Sequence, residues 1–85
     1  MTWQVFVCSA AESDLDRLSK EEQDVVTSRM FEWVENGPPR QMRRDVLGVE
    51  MFDDRESGGF RITYVVDEEN DRILVVRVRR GTSTA

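Results

Sequence analysis

Residues 60 to 66 (FRITYVV) and 73 to 79 (ILVVRVR) are two β-rich runs joined by the acidic turn Asp67 to Asp71. No other feature constrains the fold as tightly, because two such runs with a short polar turn between them pair as neighbouring antiparallel strands. In the first run Phe60, Ile62, Tyr64 and Val66 alternate with Arg61, Thr63 and Val65. The first set is expected under a covering layer and the second on the opposite face. In the second run Leu74, Val76 and Val78 alternate with Ile73, Val75, Arg77 and Arg79. Arg61, Arg77 and Arg79 are thereby placed together on the uncovered side. Pattern alone leaves two readings of that face. Its arginines are either ordinary solvated residues, paired across strands with acids such as Glu50 and Asp53, or one concave basic patch.

The covering layer is legible upstream. Trp3, Val5 and Val7 alternate with Gln4, Phe6 and Cys8, a strand apolar on both faces and so expected in the middle of a sheet. Ser9 with Glu12 has capping-box spacing, and Ala11, Leu15 and Leu18 then mark a helix over about residues 10 to 18. Ser19 with Glu22 repeats the signal. Val26, Met30, Trp33 and Val34 recur at helical spacing until Asn36-Gly37-Pro38-Pro39 ends the helix. Both tryptophans fall on apolar stripes, which assigns Trp3 and Trp33 to the core. Residues 40 to 48 read as a basic connection, residues 49 to 55 as a weaker strand, and Ser57-Gly58-Gly59 as a hairpin turn. The order β-α-α-β-β-β predicts an α+β fold, an antiparallel sheet with an αα-hairpin on one face. Residues 1 to 80 form one domain, and 81 to 85 read as a flexible tail.

Eighty-five residues supply a single core. One cysteine and no histidine exclude an internal disulfide, a Cys/His zinc site and imidazole catalysis, so no metal or other cofactor is expected. The absence of an 18-residue apolar stretch or a signal-peptide pattern predicts a cytoplasmic protein with no membrane partner. The formal charge of −5 disfavours a nucleic-acid partner until its distribution is considered. Residues 1 to 36 carry three basic and eight acidic residues, whereas residues 37 to 85 carry nine of each. The acids Glu12, Asp14, Asp16 and Glu21 to Asp24 read as solvated helix surface. Arg40, Arg43 and Arg44 form a second basic cluster able to hold phosphates. Cys8 has no basic neighbour in sequence and reads as unreactive.

The run from Trp3 to Val7, Ala10-Ala11 with Leu15 and Leu18, the helical hairpin, and above all Gly59-Phe60-Arg61-Ile62-Thr63-Tyr64 before an acidic turn and the 73 to 78 strand resemble the RelE/ParE superfamily of bacterial type II toxins. The likeness covers nearly the whole chain. It implies a toxin neutralised by a cognate antitoxin, and two targets: the ribosome and its mRNA, cleaved in the A site by RelE-like members, or DNA gyrase, inhibited by ParE-like members. A catalytically silent antitoxin-binding domain is a third reading. The RelE-like activity is placed first because it is tied to the Arg61 segment. Cleavage by a 2′-hydroxyl needs a base, an acid and positive charge around the phosphorane, and arginine supplies the charge without a metal. Arg61 matches the family's phosphate-stabilising arginine, Arg79 is the candidate for the second, and Arg55 is the basic residue left on the preceding strand. Arg77, Arg80, Arg40, Arg43 and Arg44 are the candidates for nucleic-acid contact. The chain also departs from the pattern. Gly81 stands where strict alignment expects an arginine, the family's strand lysines and C-terminal tyrosine or histidine are missing, Lys20 is the only lysine, and Tyr64 is expected to face the helices. Carboxylates such as Glu50 or Asp53 remain as bases.

Overall fold

A computed structural model describes residues 2–81 of the chain. It contains β1 (Gln4–Val7), α1 (Ser9–Asp16), α2 (Lys20–Asn36), β2 (Arg44–Val46), β3 (Val49–Ser57), β4 (Phe60–Asp67) and β5 (Arg72–Arg80). The strands form one sheet in the order β1-β5-β4-β3-β2. Strands β2 to β5 pair antiparallel with their neighbours, and β1 runs parallel to β5. Of the expected tail, residues 82 to 85 lie outside the described residues. Gly81 itself still extends the ladder, its N–H donating to the Gly59 carbonyl.

The core lies between the helices and one sheet face. Ala11 from α1 and Val26, Met30 and Trp33 from α2 meet Phe52, Phe60, Ile62, Tyr64, Ile73, Val75 and Val78. The Trp33 and Tyr64 rings are 4.7 Å apart, and Phe52 stacks on Tyr64 with ring centres 5.6 Å apart. Truncating a ring buried this deeply costs about 3–5 kcal/mol. The second helix begins as its sequence dictates: Ser19 Oγ accepts from the Glu22 N–H while the Ser19 N–H donates to Glu22 Oε1. It ends at Gly37, whose φ of 81° brings the backbone against Trp3; a Cβ there would stand 3.0 Å from the indole nitrogen.

Four expectations need correction. Strand β1 is an edge strand, with Val5 and Val7 toward α2 and Phe6 on the uncovered face at 47% exposure. With only one sheet face covered, apolar residues on both sides of a strand do not imply burial. Ser9 is not an N-cap. The β1 ladder runs through Cys8, whose N–H donates to Val75, and Cys8 caps α1 with its backbone alone. The connection over residues 40 to 48 contains β2, turned into β3 at Leu47 and Gly48, both at positive φ, the geometry of a tight hairpin. Leucine is not a turn residue there, so the sequence gives no signal.

The fourth correction concerns β5. Thr63 pairs with Arg77 but Tyr64 pairs with Val75, so Val76 is an extra residue, a β-bulge. The alternation reverses across it. Ile73 and Val75 are fully buried before the bulge and Val78 after it, while Leu74 is on the open face. The strict alternation expected for Leu74, Val76 and Val78 therefore breaks at Val76.

Candidate nucleic-acid interface

Register fixes the arginine face. Arg61 on β4 is the direct cross-strand partner of Arg79 on β5, and Thr63 that of Arg77. The flanking Ile62 and Val78 are buried under the helices, so Arg61 and Arg79 project from the helix-free side. Directly opposed residues in an antiparallel pair have Cβ atoms about 4.5–5.5 Å apart, and like charges so placed are destabilising. A second bulge lies next to this pair, where Arg55 and Glu56 together oppose Arg61. Among the described residues Arg55, Arg61 and Arg79 have no carboxylate within ion-pair distance.

The other five arginines singled out in the sequence all have an acid. Arg77 lies on the open face but reaches over the edge of β5 to Asp14 of α1, with Nε to Oδ2 at 2.9 Å and a second nitrogen to Oδ1 at 3.0 Å. Asp14 Oδ2 also accepts the Val78 N–H at 2.9 Å, which satisfies the edge of β5 where β1 has ended. Asp14 is 8% exposed, so its assignment to solvated surface is corrected. Burial alone would raise its pKa, but the hydrogen bonds from Arg77 and Val78 outweigh that and hold it below the usual carboxylate value. The same contact raises the Arg77 pKa. Arg80 clamps both oxygens of Glu22 at the start of α2. Arg40 pairs with Glu68, Arg43 with Glu50 at 2.6 Å and Asp45 at 3.7 Å, and Arg44 with Asp53 at 3.5 Å.

The structure thus brings Arg55, Arg61, Arg77, Arg79 and Arg44 around one face. It takes Arg80 to the helix side and holds Arg40 and Arg43 at the margins. Sequence reasoning left unresolved the centre of the face, where Thr63 Oγ1 donates to Asp53 Oδ1 at 2.8 Å. No motif marks that pair; it follows from the β3–β4 register. Tyr64 is packed on the helix side as expected. Its hydroxyl accepts the Arg40 N–H at 2.8 Å, and burial, moderated by that bond, pushes its pKa up to about 12. Lys20 opens α2, so the face presents neither lysine nor tyrosine. Among the described residues no group of three or more His, Cys, Asp or Glu side chains is arranged to hold a metal ion, and no helix is long and apolar enough to cross a membrane.

No family model matches the sequence, and no curated protein matches it. Solved structures do match. A chain of the archaeal RelE–RelB complex from Pyrococcus horikoshii OT3 superposes with a TM-score of 0.79 at 17% identity, covering 99% of this chain and 100% of that one. The toxin–antitoxin complex RelBE2 of Mycobacterium tuberculosis gives 0.81 at 20% identity, over 94% and 99%. The isolated E. coli RelE toxin gives 0.72 at 17% identity, over 96% and 87%. The chain therefore has the fold of the RelE toxins, as its sequence resemblance implied.

Proposed function

We propose that this protein is the toxin of a type II toxin–antitoxin pair and that its helix-free sheet face cleaves mRNA on the ribosome. The observation that carries the reading is the Arg61–Arg79 pair. Two arginines directly opposed across the strands, with no carboxylate within ion-pair distance among the described residues, cost stability and offer an anion two forked donors at once. A phosphodiester is the anion such a site fits, and the charge gathered on a phosphorane is what it stabilises best. The protein acts in the cytoplasm, where its targets are. Its antitoxin partner is of the kind bound in the RelE–RelB complexes whose fold it shares.

A second reading has its own support. A face without lysine, histidine or tyrosine has few groups for proton transfer, which suits a ParE-like gyrase inhibitor that binds without cleaving, or a silent antitoxin-binding domain. Pulse labelling after induction of wild-type and Arg61→Ala protein separates the three. Early arrest of protein synthesis that disappears in the variant is expected. Early arrest of DNA synthesis with translation intact would move the target to gyrase, and no growth effect would leave only antitoxin binding.

A further inference from the structure

Asp53 belongs to the helix-free face, where strand alternation predicts exposure, yet it is 3% exposed and its cross-strand partner Thr63 is 5% exposed. Its two oxygens are held differently. Oδ1 accepts from the Thr63 hydroxyl at 2.8 Å, whereas Oδ2 has Arg44 Nε at 3.5 Å, beyond good hydrogen-bonding distance. The Arg44 side chain is half exposed and sits on a three-residue edge strand, so the group over Oδ2 is free to move. Thr63 is two residues from Arg61, about 7 Å along β4, and faces Arg77 on β5. One carboxylate therefore stands in the middle of the arginine face. Glu50, the other acid that sequence offered as a base, is engaged by Arg43 at 2.6 Å and alternates to the opposite side of β3.

We propose that Oδ2 of Asp53 is the proton acceptor for the RNA 2′-hydroxyl in the cleavage assigned above, an inference that rests on that assignment. Arg44 passes from the carboxylate to an incoming phosphate and uncovers Oδ2. The 2′-O–H proton moves to Asp53, the 2′-oxygen bonds to phosphorus, and the bond from phosphorus to the 5′-oxygen breaks. The departing 5′-oxygen takes a proton from water, and the hydroxide left behind recovers the proton from Asp53. Arg61 and Arg79 carry the phosphorane charge, while Thr63 fixes the carboxylate plane through Oδ1. The charged groups around Asp53 are Arg44 on β2, Arg55 on its own strand, Arg61 on β4 and Arg77 on β5; Asp54 turns to the helix side, where Arg29 holds it at 2.6 Å.

The test is single-turnover cleavage of a defined mRNA on programmed ribosomes by wild-type, Asp53→Asn and Asp53→Glu protein across pH. Asparagine keeps an acceptor for Thr63, so melting temperature and antitoxin binding should hold. We expect its kcat to fall about 10²- to 10⁴-fold with KM unchanged and the acid limb of the pH–rate profile lost; glutamate should regain part of the rate. A kcat within about threefold of wild type overturns the assignment, and so does a lowered kcat that retains the acid limb, the mark of a structural role. Should the asparagine variant fail to fold, the wild-type profile decides: a rate with no single-proton decline on the acid side overturns the proposal. Wild-type protein that cleaves nothing sinks the nuclease reading and this inference together, whereas an active wild type with an unaffected Asp53→Asn sinks only the inference.

Discussion

Arg77 and Arg79 are two residues apart on β5 and on the same side of the sheet, yet their surroundings are opposite. Arg77 is drawn over the strand edge into a two-point contact with Asp14, which simultaneously caps the Val78 N–H. Arg79 faces Arg61 across the ladder with no carboxylate in ion-pair distance among the described residues. The same contrast divides the whole arginine set. Arg40, Arg43, Arg44, Arg77 and Arg80 each form an ion pair with an acid, whereas Arg55, Arg61 and Arg79 have none within ion-pair distance among the described residues. A guanidinium held at two points by a buried carboxylate, as Arg77 is by Asp14, is committed to the fold, while an opposed couple without ion-pair partners lowers stability and is left to meet an anion. Residue type and strand position are thus poor guides to role, and the neighbouring carboxylate decides.

The strongest way to break this contrast is Arg61→Ala. The proposed mRNA cleavage should fall about 10²- to 10³-fold, as for loss of one preorganised charge donor, while the melting temperature stays level or rises slightly because a like-charge opposition is removed. A large drop in stability would show that Arg61 belongs with the structural group. Asp14→Ala is the converse case. Leaving the Val78 N–H unsatisfied beneath α1 should lower unfolding stability by about 1–3 kcal/mol in urea titration, with cleavage per folded molecule little changed.

A smaller effect sharpens the same point through pH. The folded-state pKa of Asp14 is lowered, so its contribution is fully present above its unfolded value near 4 and is lost as pH falls through the folded value. The stability gap between wild type and Asp14→Asn should therefore hold above about pH 5 and shrink as the pH falls below about 4 and through the folded value. A gap that stays constant would show that the charge of Asp14 does not contribute. The least effect is expected from Arg43→Gln. Arg43 and Glu50 are both exposed, and pairs of that kind contribute little in water, so thermal melts of the two proteins should superimpose.

Sequence alone determined what depends on residues a few positions apart. The β4 alternation, the Ser19–Glu22 capping box, the stop at Asn36-Gly37-Pro38-Pro39, the core placement of Trp33 and Tyr64 and the helix-free side for Arg61 are all of this kind, set by helix and strand periods and by local capping hydrogen bonds. Only the tertiary structure decided the rest. The edge position of β1 depends on which strand arrives beside it. The bulge at Val76 reverses the alternation of β5, and no residue type in that run announces it. The bond between Arg77 and Asp14 joins residues 63 positions apart, and the burial of Asp53 under the arginine face follows from the pairing of β3 with β4. Charges interact by distance in space, and a chain that folds back five strands and two helices brings together partners that no local pattern encodes.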